Sequence, residues 1–289
     1  MIDNKIHYIT QINMLNDALL KALFRSQEAR DMIASFLSSI TKISKEKLMT
    51  AEYVGGENPK RRLYEKGKTS DIIVIIDNRN RIIVEVNQYQ TDHIFEKNST
   101  YAYSNLLEAT RISQIDYPKI ILVNIDNMNY YETDRPMLNF KSMDEESHIE
   151  NDLYTSIHLI LVNIVNSKYN IDKEIEKFGR LLKMKTLEEM KEEFKEDEAY
   201  MSGIKKIEEL VMDPQFIGLY DIEERRQRDM LDSKLTGLRE GREEGRLDGI
   251  RENKMKVAKE MLKDKLSYEV IAKYTKLTEQ EIRELSINN

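Results

Sequence analysis

Two carboxylates stand where an apolar sequence has little use for them. Glu85 interrupts Ile82-Ile83-Val84 and Val86, and Asp71 precedes Ile72-Ile73-Val74-Ile75-Ile76. A carboxylate inside a covered strand is costly unless it is paired or bound to a metal. Side chains alternate along a strand, so Glu85 and Asn87 project to one face. The runs 69–77 and 81–87 flank Asp77-Asn78-Arg79-Asn80, whose residue types favour a turn, and a β-hairpin is predicted. The register that sets Asp71 opposite Glu85 needs an odd loop of Asp77, Asn78 and Arg79. A two-residue loop sets Asp71 opposite Val86 unless a bulge intervenes. In the first register two acidic oxygens converge, as a hard cation such as magnesium requires. The alternative places Asp71 at a strand start in water and pairs Glu85 with a nearby Lys or Arg. The pattern alone leaves both open.

The elements around these residues follow from apolar spacing. Leu15, Leu19, Leu20, Leu23 and Phe24 recur at helical intervals, as do Met32, Ile33, Phe36, Leu37 and Ile40, with Ser26 between them as a candidate N-cap. Both hairpin runs are apolar on both faces, which implies central, covered strands. A helix is predicted over about 93–112, and strands over 119–125 and 156–164. The order of helices, hairpin, helix, strand, loop and strand describes a mixed α/β sheet with helical cover. Lys97, Tyr101 and Asn105 share one face of the predicted helix, and Tyr101 reads as core before it reads as a phosphate ligand. The four histidines, His7, His93, His148 and His158, show no metal-ligand spacing. His158, in an apolar strand, reads as a satisfied core histidine, and no catalytic role is expected of any of them.

Several stretches together resemble the PD-(D/E)XK nucleases of the recombination-promoting nuclease and transposase type. KTSDIIVIIDNRNRIIVEVN is similar to that family's Asp…Glu-x-Gln core. Asp17-Ala-Leu-Leu20-Lys21-Ala-Leu-Phe24 resembles its opening helix, and Ser35-Phe36-Leu37 falls where its second helix stands. Lys97 and Tyr101 lie in the helix after the Glu strand, Ser156-Ile157-His158-Leu159 resembles the late strand, and 241–246 with 257–285 are much like the tail. The resemblance implies a restriction-endonuclease-like mixed sheet flanked by helices, followed by an all-α C-terminal region. It also implies metal-dependent hydrolysis of DNA phosphodiester bonds, with Mg2+ or Mn2+ held by Asp71, Glu85 and the Val86 carbonyl. The third motif position is Lys in the wider fold and often Gln in this family, but Asn87 here. A neutral amide orients water but brings no positive charge to the transition state, so a second metal or a nearby cation such as Lys97 compensates, or the enzyme is slow or dead. Lys97, Tyr101 and Asn105 are also where such a fold would line a DNA groove. Asp17 could add an acidic oxygen, or simply favour its helix N-terminus. A catalytically weakened DNA-binding or protein-interaction member of the same family is the rival reading, and a purely structural oligomer a third.

Composition sets the outer bounds. The chain has 289 residues, no Cys, no Trp, and a net charge of −7. Without Cys there are no disulfides, thiolate nucleophiles or Cys-ligated metals, and a reducing, cytoplasmic setting is expected. No apolar stretch is long enough for a transmembrane span, and the N-terminus lacks a signal-peptide pattern. The acidic balance argues against avid coating of DNA but not against a local cationic groove. Lys60, Arg61, Arg62, Lys66 and Lys68 are the candidates for such a groove, together with Lys97. A solvated loop is their other reading.

Four segments are expected: a nuclease-like domain over 1–168, a helical extension over 169–221, a charged Gly-periodic helix or linker over 222–253, and a three-helix module over 254–289. Gly237, Gly241, Gly245 and Gly249 recur every fourth residue, which suggests a smooth ridge for self-association or a mobile spacer. Ser267, and Thr278 with Glu281, are expected helix caps. The last module is similar to a helix-turn-helix. Its final helix, TEQEIREL, is too acidic to suit a major-groove reader.

Overall fold

The computed structural model describes residues 9–57, 69–77, 80–88, 93–110, 119–164 and 167–287. Asn16 caps helix α1 (Asp17–Arg25) by accepting a hydrogen bond from the Leu19 N–H, and α2 (Arg30–Thr41) and α3 (Lys45–Thr50) follow. Ser26 closes α1, its N–H bonding Leu23 O. Its Oγ accepts from Ala29 N–H, so it caps the connecting turn and not α2 itself, whose N-cap is Ala29. The strands are β1 (Glu52–Glu57), β2 (Thr69–Asp77), β3 (Asn80–Asn87), β4 (Lys119–Asp126), β5 (Met137–Met143) and β6 (Glu150–Ile160). Helix α4 (Ile94–Thr110) connects β3 to β4. The sequence pattern carries the last strand to 164, but residues Leu161–Ile164 form a helical turn, α5. Leu161 and Ile164 stand three apart there, and both are buried.

The sheet runs β1-β2-β3-β4-β6-β5. β3, β4 and β6 are parallel, and the three outer pairings are antiparallel. A βαβ crossover covers one face: α4 packs Ala102 and Leu106 against Ile83, Ile120 and Leu122. The alternating residues Ile72, Val74, Ile82, Val84, Val123 and Ile125 bury the other face in one core with α1 and α2. The same core takes in α6 (Lys173–Lys183), α7 (Leu187–Phe194) and α8 (Glu198–Met212), with Phe178 stacked on Phe36 at 4.1 Å. Mixed α/β with helices on both faces, followed by an all-helical region, is the class expected from the sequence.

Pro214 opens α9 (Pro214–Lys263) at its first position, where its missing N–H matters least. The chain divides within this helix into two compact units, Met1–Arg225 and Arg226–Asn289. In the second, Ala258, Ile271, Leu277, Ile282 and Leu285 pack the end of α9 with α10 (Tyr268–Thr275) and α11 (Glu279–Ile287). The Ser267 side chain accepts from Val270 N–H. Thr278 and Glu281 bond reciprocally, as their spacing predicts. Residues 222–253 are helical, with the four periodic glycines in regular helix. Among the described residues no helix is long and apolar enough to cross a membrane.

Candidate functional site

The hairpin register is decided by a bulge. Ile72 pairs with Val84, Ile73 with Ile83, Val74 with Ile82 and Ile75 with Arg81, after which the register shifts and Asp77 pairs with Asn80. The shift leaves Ile76 as the extra residue on β2, which reconciles a two-residue turn with the odd-loop register. Asp77 Oδ1 closes the turn by accepting the Asn80 N–H at 2.8 Å. The ladder's last pair toward Asp71 is Ile72 with Val84, one residue short of Asp71 and Glu85. The Asp71 and Tyr101 side chains, and Lys60, Arg61, Arg62, Lys66 and Lys68 entirely, lie outside the described residues.

Glu85 is 1% exposed, on the α4 side of the sheet. Lys97 reaches it from the first turns of α4, Nζ to Oε2 at 3.5 Å, while its own side chain stays 40% exposed. A buried carboxylate demands a positive neighbour, and a half-exposed ammonium opposes its charge only in part. Asn105 does not line a groove with Lys97: the buried stripe of α4 is Ile94, Asn98, Ala102 and Asn105, so Asn105 faces the sheet. Asp17 pairs with Lys21 at 2.7 Å on α1, whose apolar residues pack on the face of the sheet away from Glu85. Among the described residues no three His, Asp or Glu side chains gather into a metal-binding group.

Beside Glu85 lies a buried polar network that the sequence reading did not anticipate. Each of the three parallel strands ends in a polar-x-polar pair: Glu85 and Asn87, Asn124 and Asp126, Ser156 and His158. All six are buried. The parallel ladder aligns Glu85 with Asn124, Asn87 with Asp126, and Asn124 with His158. Asn87 Nδ2 donates to Asp126 Oδ1 at 2.8 Å and to Asn124 Oδ1 at 3.3 Å. Asn98 Nδ2 on α4 donates to the same Asn124 oxygen at 2.7 Å. Asp126 Oδ2 lies 2.8 Å from His158 Nδ1, and His158 Nε2 has Ser156 Oγ at 3.0 Å and the Tyr131 hydroxyl at 3.1 Å. Burial, reinforced by Asp126, Tyr130 and Tyr154, pushes the Tyr131 phenol well up, so it remains a donor. His158 is the satisfied buried histidine its strand implies, but its partners join it to the third motif position.

The legible signal for this network was the repeated polar pair at the carboxyl end of each apolar strand. That end of a parallel sheet is where open α/β folds place their ligands. A carboxylate, an amide held in one orientation and a nearby ammonium can bind a cation and order water beside a polarised phosphate. The chain matches the model of the PD-(D/E)XK nuclease family transposases over residues 14–236 and belongs to that family. Its mixed sheet with flanking helices is restriction-endonuclease-like. No curated protein and no solved structure matches the chain.

Proposed function

We propose that the protein is a DNA endonuclease that hydrolyses phosphodiester bonds with Mg2+ or Mn2+ bound at Asp71, Glu85 and the Val86 carbonyl. The observation that carries this reading is Glu85: a carboxylate 1% exposed at the end of an apolar strand, one residue beyond the Ile72–Val84 pair of the hairpin. Carboxylate and carbonyl oxygens are the donors a hard cation takes, and a site at a sheet end leaves room for water ligands. Bound there, the cation would polarise a phosphate oxygen and lower the pKa of its water. The chain's own residues do the rest. Glu85 and Asp71 bind and orient. Asn87 has both N–H bonds engaged by Asp126 and Asn124, so its carbonyl oxygen is the atom left to accept a hydrogen bond from the attacking water. Lys97 supplies the positive charge that Asn87 lacks.

Lys60, Arg61, Arg62, Lys66, Lys68, Lys97 and Tyr101 form the DNA-contacting set in this reading. A cytoplasmic location and self-association through α9 belong to it as well, the latter resting on the glycine series. The test is cleavage of supercoiled plasmid with magnesium or manganese. Asp71→Ala and Glu85→Ala are expected to abolish nicking. Wild-type protein that leaves plasmid intact, indistinguishable from Asp71→Ala, would sink the proposal.

One observation favours a second reading, a weakened, DNA-binding member of the family. Asn87 offers no N–H to the reacting phosphate. In that case Asn87→Lys or Asn87→Gln raises cleavage above wild type, whereas the endonuclease reading expects no gain.

A further inference from the structure

We propose that Asp126 and His158 are positioning residues that lock the side-chain amide of Asn87 with its carbonyl oxygen toward the hydrolytic site. This deepens the endonuclease reading and rests on it for its kinetic consequence. An amide can stand in two orientations related by a flip, and only its hydrogen-bond partners decide between them. Asp126 Oδ1 stands 2.8 Å from the Asn87 amide nitrogen. A carboxylate accepts and does not donate, so the flipped state would set two acceptor oxygens against each other. Asn124 Oδ1 adds a second acceptor on the same side at 3.3 Å.

Asp126 is itself held. His158 Nδ1 lies 2.8 Å from its other oxygen, which places the ring proton on Nδ1. Nε2 is then the acceptor, its single lone pair facing the hydroxyls of Tyr131 and Ser156 at 3.1 and 3.0 Å, one of which donates to it. Asn124 cannot turn to relieve the set. Its oxygen takes Asn98 as well as Asn87, and its nitrogen donates to Ser156 Oγ at 3.2 Å. The imidazole thus holds Asp126 by one oxygen while the other oxygen faces the Asn87 amide nitrogen. The short Asn at the third position thus has a fixed orientation that solvent alone would not give it. Outer groups that orient the residues of a metal site commonly affect activity by roughly ten- to a hundredfold.

A double-mutant cycle with two readouts tests this. Asp126→Asn keeps shape but offers Asn87 an amide in place of an obligate acceptor, and His158→Gln removes the ring while retaining a polar side chain. Each is expected to lower kcat for plasmid nicking by about tenfold or more, with KM within about twofold. In an Asn87→Ala background neither is expected to lower it further. Independently of activity, the Asn87 side-chain amide protons, assigned by their loss in Asn87→Ala, are expected to be two sharp, separated NMR signals in wild type. In Asp126→Asn and His158→Gln they should shift or broaden.

Equal losses of kcat with and without Asn87 would overturn the proposal, as would Asn87 amide signals that ignore both variants. If wild type fails to nick DNA with either metal, the endonuclease reading falls. The amide signals then decide by themselves whether Asp126 and His158 set Asn87.

Discussion

Glu85 shows how far one residue's position can be argued. A carboxylate this buried destabilises the fold unless something positive meets it, and Lys97 at 3.5 Å is only partly withdrawn from water. Function and stability therefore pull apart here. Glu85→Gln is expected to abolish nicking yet melt at or above the wild-type temperature in EDTA. Added magnesium should raise the wild-type melting temperature through preferential binding to the native state and leave the variant unmoved. A variant that melts well below wild type in EDTA would mean that the Lys97 pair, not a cation site, accounts for the burial. Glu85 was legible in the sequence because it breaks an apolar run. Asn124 and Asp126 break a neighbouring run in the same way. Their meaning needed the parallel register, which puts residues some 40 positions apart side by side, as the 39-residue separation of Asn87 and Asp126 shows. His158 was legible as buried, but its connection to Asn87 was not, because a lone histidine in a strand carries no information about what lies on the next strand.

At the level of elements, strands and helices were readable where burial on a face imposes a period. They were not where pairing alone decides. β1 contains Gly55-Gly56, and the residues of β5 from Asn139 on are exposed, so neither carries an apolar alternation. Both are edge strands, held by hydrogen bonds to one neighbour each. The hairpin was readable except for the bulge at Ile76, which turns on one residue.

Caps are local, so those at Ser267 and at Thr278 with Glu281 were legible, while Ser26 was misplaced and Asp197 was not read. Asp197 accepts the Tyr200 N–H as the N-cap of α8 and meets Lys177 Nζ at 2.6 Å. Burial pushes the Asp197 carboxyl up, but Lys177 and the backbone N–H groups of Tyr200 and Ala199 together hold it below its ordinary value. A carboxylate whose native pKa is lowered stabilises the fold above its unfolded value and loses that contribution as pH falls through the native one. Asp197→Ala is expected to cost about 1 kcal/mol in urea unfolding at pH 7. The difference from wild type should shrink below about pH 4. A gap that stays constant to pH 3 would assign the effect to packing and not to charge.

For the whole molecule, the net charge of −7 says little about where DNA would go, because in the endonuclease reading a carboxylate site would itself add acidity where a cation is to be held. The family match ends at residue 236, and the glycine series begins at Gly237, so the chemistry and the series occupy different parts of the chain. The series is also where the sequence left two answers open, a helix or a spacer. The structure makes it helical, and no glycine among its described residues has a positive φ. Conformational freedom is therefore not what these glycines provide. Among the described residues, a Cβ added at Gly237, Gly241, Gly245 or Gly249 would meet nothing within 4 Å. In an isolated helix Ala would then be better than Gly by roughly 1 kcal/mol at each position. A partner that needs the space would reverse that preference, and the proposed self-association would seat a second copy of the helix there. Under that proposal the double variant Gly241→Ala, Gly245→Ala is expected to gain helicity by circular dichroism and to associate more weakly than wild type in sedimentation equilibrium. If helicity rises and association stays as it was, the ridge is not the contact. A chain ending at Asp221 would then locate the association in the first unit if it still dimerises.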